Sequence, residues 1–240
     1  MPRPDIERDA TRLVETLESG GIAIMPGDVG YGILASTPDA LRTSFKAKGR
    51  ASHKRHAMIG DRDLHRAVHD VDDETQSIID TITVDYDLPL GVVARFRRDH
   101  PVVARLDDQT LHESTVGETL AILVNNGPFQ DACARISRER SVPLMGSSAN
   151  VTGTGPKFRI DDIQPSIRQA ADVEFDYGTR KYHLYRRSST MIDFTTMTVI
   201  RIGSCYDLIS QALQDRFGIT LPSDPGYDAL PSGHLRQELA

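Results

Sequence analysis

Between Ala40 and Gly60 the chain carries Arg42, Lys46, Lys48, Arg50, Lys54 and Arg55, together with His53 and His56, and no acidic residue. Cations this dense and uncompensated suit an oligophosphate or a carboxylate, because guanidinium and ammonium donors gain most from charged oxygen. At the centre lies Lys46-Ala47-Lys48-Gly49-Arg50, where a helix is expected to end. Complementing a helix dipole is worth about 0.3–1 kcal/mol per charge and does not call for two cations astride a glycine. A second segment, Pro143-Leu144-Met145-Gly146-Ser147-Ser148-Ala149-Asn150-Val151-Thr152-Gly153, runs from an apolar strand into hydroxyls, an amide and glycines. That composition makes a neutral hydrogen-bonding cradle for phosphate oxygens. It lacks Gly-Lys-Ser/Thr and is therefore not a Walker loop. A third, Met25 to Ile33, is a strand end and turn in which Gly27, Gly30 and Gly32 let backbone approach a ligand, with Asp28 and Tyr31 at its edge. The fourth, Ser188-Ser189-Thr190-Met191-Ile192-Asp193, leads hydroxyls into a strand; by itself it reads as a turn.

The elements that must hold these segments follow from periodicity. Short apolar runs, Gly21 to Met25, Tyr31 to Ala35, Gly91 to Phe96, Thr119 to Val124, Met191 to Phe194 and Val199 to Ile202, read as buried strands. Amphipathic helices are expected over Ile6 to Glu18, Asp39 to Lys48, Glu74 to Ile82, Pro128 to Arg140 and Tyr206 to Phe217, the last ended by Gly218. Their alternation predicts an α/β fold, a twisted sheet with helices on both faces. Residues 1–221 are expected to form a single domain and 222–240 an irregular tail. Asp61 to Asp87, rich in aspartate, reads as a solvated helical surface.

Composition narrows the function classes. With 28 Lys and Arg against 34 Asp and Glu the net charge is −6, which argues against a general nucleic-acid coat and makes any anion site local. Cys133 and Cys205 are too few for a disulfide framework, and neither they nor the histidines are expected to hold a transition metal. No run reaches the roughly 18 apolar residues of a membrane span, and the N-terminus lacks a signal-peptide layout, so a cytoplasmic protein with no membrane partner is expected.

Taken in order, the four segments resemble the YrdC-like family, whose enzymatic members are threonylcarbamoyl-AMP synthases. The family's P-T-D-T-x-Y-G-L pattern is similar to Pro26 through Ile33, its K-x-R to Lys48-Gly49-Arg50, its S-x-N-x-S-G to Ser148 through Gly153, and its S-T-x-x-D to Ser189 through Asp193. The resemblance implies a twisted mixed sheet enclosing a basic concave cavity. It implies that ATP, accompanied by Mg2+, reacts with bicarbonate and L-threonine to give threonylcarbamoyl-AMP and pyrophosphate, for the t6A modification of tRNA. Lys48 and Arg50 would be the catalytic pair, holding phosphates and the carboxy intermediate. Ser148, Asn150 and Ser189 would join them in binding the nucleotide, with Asp28, Tyr31 and Ser147 in the substrate pocket. A downstream carbamoyl-transfer enzyme would consume the adenylate.

The departures from the family fall on one side of the site. Gly27 and Val29 replace two threonines, Arg55 and Ile59 replace a proline and a histidine, and Asp87-Leu88-Pro89-Leu90-Gly91 stands for P-G-P-L-T. Leu123 stands where the family places a strand arginine, for which Arg95, Arg97 or Arg98 are candidate substitutes. The nucleotide side is kept and the amino-acid side rewritten. The expectation is a carbamoyl-adenylate-forming enzyme using L-threonine or a different amine. Its alternative is a non-synthase paralogue that binds nucleotide or double-stranded RNA in the basic cavity.

Overall fold

The computed structural model describes residues 5–49 and 55–235. Its strands are β1 (Ala23–Gly27), β2 (Gly30–Ala35), β3 (Ala57–Ile59), β4 (Leu90–Arg95), β5 (Thr115–Val116), β6 (Thr119–Val124), β7 (Met145–Ser148), β8 (Val173–Glu174), β9 (Thr190–Asp193) and β10 (Thr198–Arg201). The α-helices are α1 (Ile6–Glu18), α2 (Pro38–Lys48), α3 (Arg62–Val68), α4 (Asp73–Asp80), α5 (Pro101–Ala104), α6 (Asp108–Ser114), α7 (Pro128–Arg140), α8 (Pro165–Arg168) and α9 (Tyr206–Phe217). All ten strands join one mixed sheet, ordered β10-β9-β4-β6-β3-β7-β2-β1-β8 with β5 beside β6. The pairs β1/β8, β3/β6 and β4/β9 are parallel. No helix among the described residues is long and apolar enough to cross a membrane.

The long amphipathic helices form where their periodicity puts them, and local chemistry sets their ends. The Asp5 carboxylate accepts the Arg8 N–H at 3.2 Å to start α1, and Gly218, at φ 68°, ends α9. The helix expected over Glu74 to Ile82 instead stops at Asp80 and continues as a π-helical turn, Thr81–Asp85. There the Thr83 hydroxyl donates to the Ile79 carbonyl at 2.8 Å, inside a β-branched stretch that crowds an α-helical turn. The short β3, β8, α3 and α6 are absent from the sequence reading, since two to seven residues are too few for a period to declare itself. Nor is Asp61 solvated: it caps α3 through the Leu64 N–H at 2.7 Å and pairs with Arg138 at 2.7 Å.

Helices cover the two sheet faces unequally. On one face Leu41 of α2, Leu64 and Val68 of α3, Ile78 and Ile79 of α4, and Ile209 and Leu213 of α9 pack on Ile33, Met58, Ile122, Val92 and Ile192. On the other, α1 and α7 bury Leu13, Val14, Leu17, Phe129, Cys133 and Ile136 against Met25, Leu34, Ile59 and Leu144, which protects only the β1, β2, β7 and β3 part. Beyond α7 the cover on this face thins, although Gly91 and Val93 of β4 remain buried. Strand β6 records this, for Leu120, Ile122 and Val124 are buried while Thr119, Ala121 and Leu123 are only partly so. Its wholly apolar sequence suggests burial on both sides, but one side is the floor of a cavity, which apolar residues also suit.

One buried polar pair gives the fold a pH dependence. His65 and His69, spaced as H-x-x-x-H and passed over in expecting no metal site, turn their Nδ1 atoms to each other at 2.8 Å. His65 Nε2 faces the Gln76 amide oxygen at 3.2 Å and His69 Nε2 the Leu120 carbonyl at 3.1 Å. Burial lowers their pKa values to about 4 and about 3 respectively, with the neighbouring ring and Arg97 adding to the fall at His69. Because the folded values lie below the unfolded value of 6.5, acid loads protons onto the unfolded chain first, and stability present at neutral pH is lost as pH drops from about 6.5 toward 4. The urea midpoint is therefore expected to fall between pH 7.5 and 5, and to fall less steeply in His65→Asn/His69→Asn. Equal slopes in the two proteins would show that the pair does not titrate this way.

Candidate functional site

Lys48 is the last residue of α2, whose turn is closed by Gly49 in the left-handed conformation at φ 57°. The geometry carries the lysine inward, where it is 1% exposed and its ammonium donates to the Ser148 carbonyl at the end of β7. The Lys48 carbonyl in turn accepts the Thr152 N–H at 2.9 Å, so helix end and β7 loop form one unit. Both line a cavity of about 500 Å3 over the open part of the sheet. Ala57, Ala121 and Met191 make its floor, residues 150 and 152–156 one wall, Arg55 and His56 another, and Arg187 and Ser188 the far side. His56 is stacked on Phe45 with ring centroids 4.0 Å apart, and the Arg55 guanidinium donates to the His112 carbonyl at 3.0 Å. No carboxylate is among the described residues that line the cavity.

Several buried polar atoms here have no partner among the described residues. Asn150 donates its amide to the Val151 carbonyl at 2.7 Å, but its Oδ1 is unmatched, as are the hydroxyls of Thr152 and Ser189. Leaving such atoms unpaired costs about 1–3 kcal/mol each, so a set gathered at one cavity fits a polar ligand. Ser189 is held in place by the crossing of β9 and the end of β10, where Ser204 N–H donates to Ser188 O at 2.7 Å and Gly203 N–H to Thr190 Oγ1 at 3.1 Å. A Cβ on Gly203 would lie 2.3 Å from the Ser188 carbonyl oxygen, which is why glycine stands there.

Lys48, Ser148 and Asn150 thus meet at the cavity, with Ser189 next to the lining residue Ser188. Arg50 lies outside the described residues, as do His53 and Lys54. The three residues expected in the substrate pocket do not line the cavity. Asp28 is engaged by Arg180 at 3.4 Å and Lys181 at 4.0 Å, beside a separate crevice of about 100 Å3. The Tyr31 hydroxyl is tied to Asp176 at 3.1 Å and Gly178 O at 3.0 Å, and burial raises its pKa. Ser147, one residue from Ser148 on a strand, shares the opposite face with core residues Met145 and Ala149. The candidate substitutes for the missing strand arginine are also elsewhere: Arg95 pairs with Glu118, and Arg97 holds the carbonyls of Ala67 and His69. Arg98 does not line the cavity either.

Two arginines that sequence reasoning missed stand closer. Arg201 pairs in register with Met191, so it shares the cavity face, and its Nε donates to the Ser189 carbonyl at 2.8 Å. Burial alone lowers its pKa, to about 10, and no carboxylate pairs with it among the described residues. Arg187 is 5% exposed, pairs with Asp224 at 2.6 Å, and leaves its Nε unmatched. A cation inside the otherwise apolar run Val199-Ile200-Arg201-Ile202 is the signal that could have marked the first; nothing local marks the second.

Of the positions that depart from the resembled pattern, Arg55 lines the cavity, while Gly27, Val29, Ile59, Gly91 and Leu123 belong to a packed block. Ile59 and Val29 are each 4% exposed, and Leu123 packs against Gly91 and the core under α7. Asn126 occupies the space beside Gly27: a Cβ there would lie 2.1 Å from its Nδ2, while its Oδ1 accepts the Val29 N–H at 2.8 Å. Gln130 completes the network, accepting from Asn126 at 3.0 Å and donating to the carbonyls of Gly60 and Leu123.

Residues 15–203 match the Sua5/YciO/YrdC family, whose description reads "Telomere recombination". No curated protein matches the sequence. In structure the chain is similar to the hypothetical protein smu.1377c of Streptococcus mutans, with TM-score 0.72, 20% identity, and 88% of this chain and 92% of that one covered. It is similar to Sua5 of P. abyssi, solved in complex with L-threonine, with TM-score 0.68 and 16% identity over 90% of this chain, which spans 59% of Sua5. It also resembles part of full-length HypF in a phosphate- and nucleotide-bound form, with TM-score 0.61 and 16% identity over 86% of this chain and 30% of HypF.

Proposed function

The chain belongs to the Sua5/YciO/YrdC family, and from that premise we propose that it binds ATP in the Lys48 cavity and forms a carbamoyl adenylate. In this reaction bicarbonate and an amine condense to a carbamate with loss of water, the carbamate oxygen attacks the α-phosphorus of ATP, the bond from that phosphorus to the oxygen bridging the β-phosphate breaks, and pyrophosphate leaves; magnesium accompanying ATP would offset phosphate charge. Such chemistry asks the protein to neutralise phosphate charge and to hold two reactants in line, and needs no protein nucleophile. The observation that carries the reading is the cavity itself: Lys48, Arg55 and Arg187 face it, no carboxylate is among the described residues that line it, and the Asn150 Oδ1 and Thr152 hydroxyl beside them are unmatched. Lys48 and Arg201 would take the phosphates, Asn150, Ser148 and Ser189 their remaining oxygens. Arg50 enters this set through the motif alone. A buried lysine within a concavity also suits a mononucleotide better than an RNA duplex, whose backbone needs cations on a convex or grooved surface.

Calorimetry with ATP and magnesium tests this. Lys48→Ala is expected to weaken ATP by about 10- to 100-fold, the range for one charge-assisted hydrogen bond. Unchanged affinity removes the site. Mass spectrometry after incubation with ATP, bicarbonate and a pool of amines then identifies the adenylate, and absence of any carbamoyl adenylate would leave nucleotide binding without synthesis.

A further inference from the structure

Among the described residues the chain after Leu221 forms no helix, yet it is anchored back across the molecule. The Tyr206 hydroxyl donates to the Pro222 carbonyl, Ile202 N–H donates to Gly233 O at 2.8 Å, and Leu235 N–H to Ile200 O at 3.1 Å. Gly233, at φ 73°, lies so close to β10 that a Cβ on it would be 1.9 Å from the Ile202 carbonyl. This return brings Tyr227, Pro231, Ser232 and His234 onto the rim of the Lys48 cavity.

Arg187 is where the tail meets the cavity. Arg187 and Tyr227 line both this cavity and a separate groove of about 640 Å3 beside α9, and so form the partition between them. Asp224 belongs to the outer groove and takes Arg187 Nη1 at 2.6 Å, while the Leu230 carbonyl takes Nη2 at 2.9 Å. Tyr227 is seated by Arg186, whose guanidinium carbon is 3.9 Å from the ring centroid. The arginine is thus neutralised from behind, by a carboxylate that reaches one nitrogen only. Its Nε remains buried and unmatched. A tetrahedral oxyanion arriving from the cavity side can take Nε and an Nη together, the two-pronged geometry that Asp224 does not supply.

We propose that Arg187 is an anion-recognising residue of the cavity, that Asp224 is the internal carboxylate it holds until a phosphate or pyrophosphate group arrives, and that the exchange releases the tail from the rim. This rests on the cavity binding a phosphate-bearing ligand. In the full chain without ligand, Asp224→Asn is expected to speed hydrogen exchange of the Leu230 and Leu235 amides about tenfold, because the latch is weakened. The same variant should bind ATP and inorganic pyrophosphate about 3- to 10-fold more tightly, because the competing carboxylate is gone, whereas Arg187→Met should bind both at least tenfold more weakly. Unchanged or weaker binding in Asp224→Asn, or unchanged exchange of the tail amides, overturns the latch. Pyrophosphate binding without ATP binding would sink the nucleotide reading and leave the latch standing; wild-type protein that binds neither ends both. Should Arg187→Met fold poorly, Arg187→Lys, which keeps charge and loses the two-pronged edge, is expected to weaken ATP and pyrophosphate binding in the same direction.

Discussion

L-Threonine, supplied with ATP, magnesium and bicarbonate, is expected to support pyrophosphate release with a kcat/KM at least about a hundredfold below that of Sua5 assayed alongside. In the resembled pattern hydroxyl, imidazole and guanidinium side chains stand at the positions that Gly27, Val29, Ile59 and Leu123 occupy here. Those positions are not merely changed but filled, by Asn126 and Gln130 bonded to backbone and to each other and by Leu123 over Gly91. A zwitterionic amino acid entering there would leave buried polar groups unpaired at about 1–3 kcal/mol each, so two or three such losses reach a factor of one hundred. Restoring one family residue should not repair this. Gly27→Thr drives its Cβ into Asn126 Nδ2 and is expected to destabilise the fold by about 1–3 kcal/mol, with much of that cost relieved in Gly27→Thr/Asn126→Ala. Turnover of L-threonine at a Sua5-like kcat/KM would show that the block opens, and additive stability losses in the double variant would show that Asn126 is not what fills the space.

What the residues declare on their own divides along physical lines. Helices such as Pro128–Arg140 are legible because thirteen residues hold several turns of apolar periodicity. Lys48, Ser148 and Asn150 are legible because charge without compensation and hydroxyls beside glycine are local properties, and the fold does bring them to one cavity. Tyr31, Asp28 and Ser147 stand apart from the cavity because sequence gives polarity but not direction, and the polar atoms of Tyr31 and Asp28 serve neighbours as readily as they would a ligand. The Tyr31 hydroxyl is used by Asp176, 145 residues away. A one-residue step on β7 sends Ser147 to the face opposite Ser148. Arg187 is hidden differently, since its partners Asp224 and Leu230 come from a tail whose composition reads as irregular chain and whose return to β10 depends on backbone bonds that no side-chain pattern records.

Arg201→Met is expected to move stability and binding in opposite directions. The guanidinium sits on the cavity face with the Ser189 carbonyl as its hydrogen-bond partner, and its lowered pKa reflects burial with no carboxylate among the described residues to offset it. Holding such a charge in the empty site costs the fold, so a methionine of similar length is expected to raise stability by about 1–3 kcal/mol, or several degrees in Tm for a chain of this size. The loss of the Nε donor to Ser189 O offsets part of this gain but not its sign, because a neutral acceptor is cheaper to leave unmatched than a cation. With ATP present the balance reverses: the same charge gains phosphate oxygens in a site whose described lining holds no carboxylate, and its removal is expected to weaken ATP by at least about tenfold. The stabilising effect of saturating ATP on Tm should therefore shrink in the variant even as its ligand-free Tm rises. A variant that loses Tm without ligand would mark Arg201 as a structural brace, and one that keeps full ATP affinity would remove it from the nucleotide site; only the paired outcome fits a charge kept for a ligand at the expense of the empty fold.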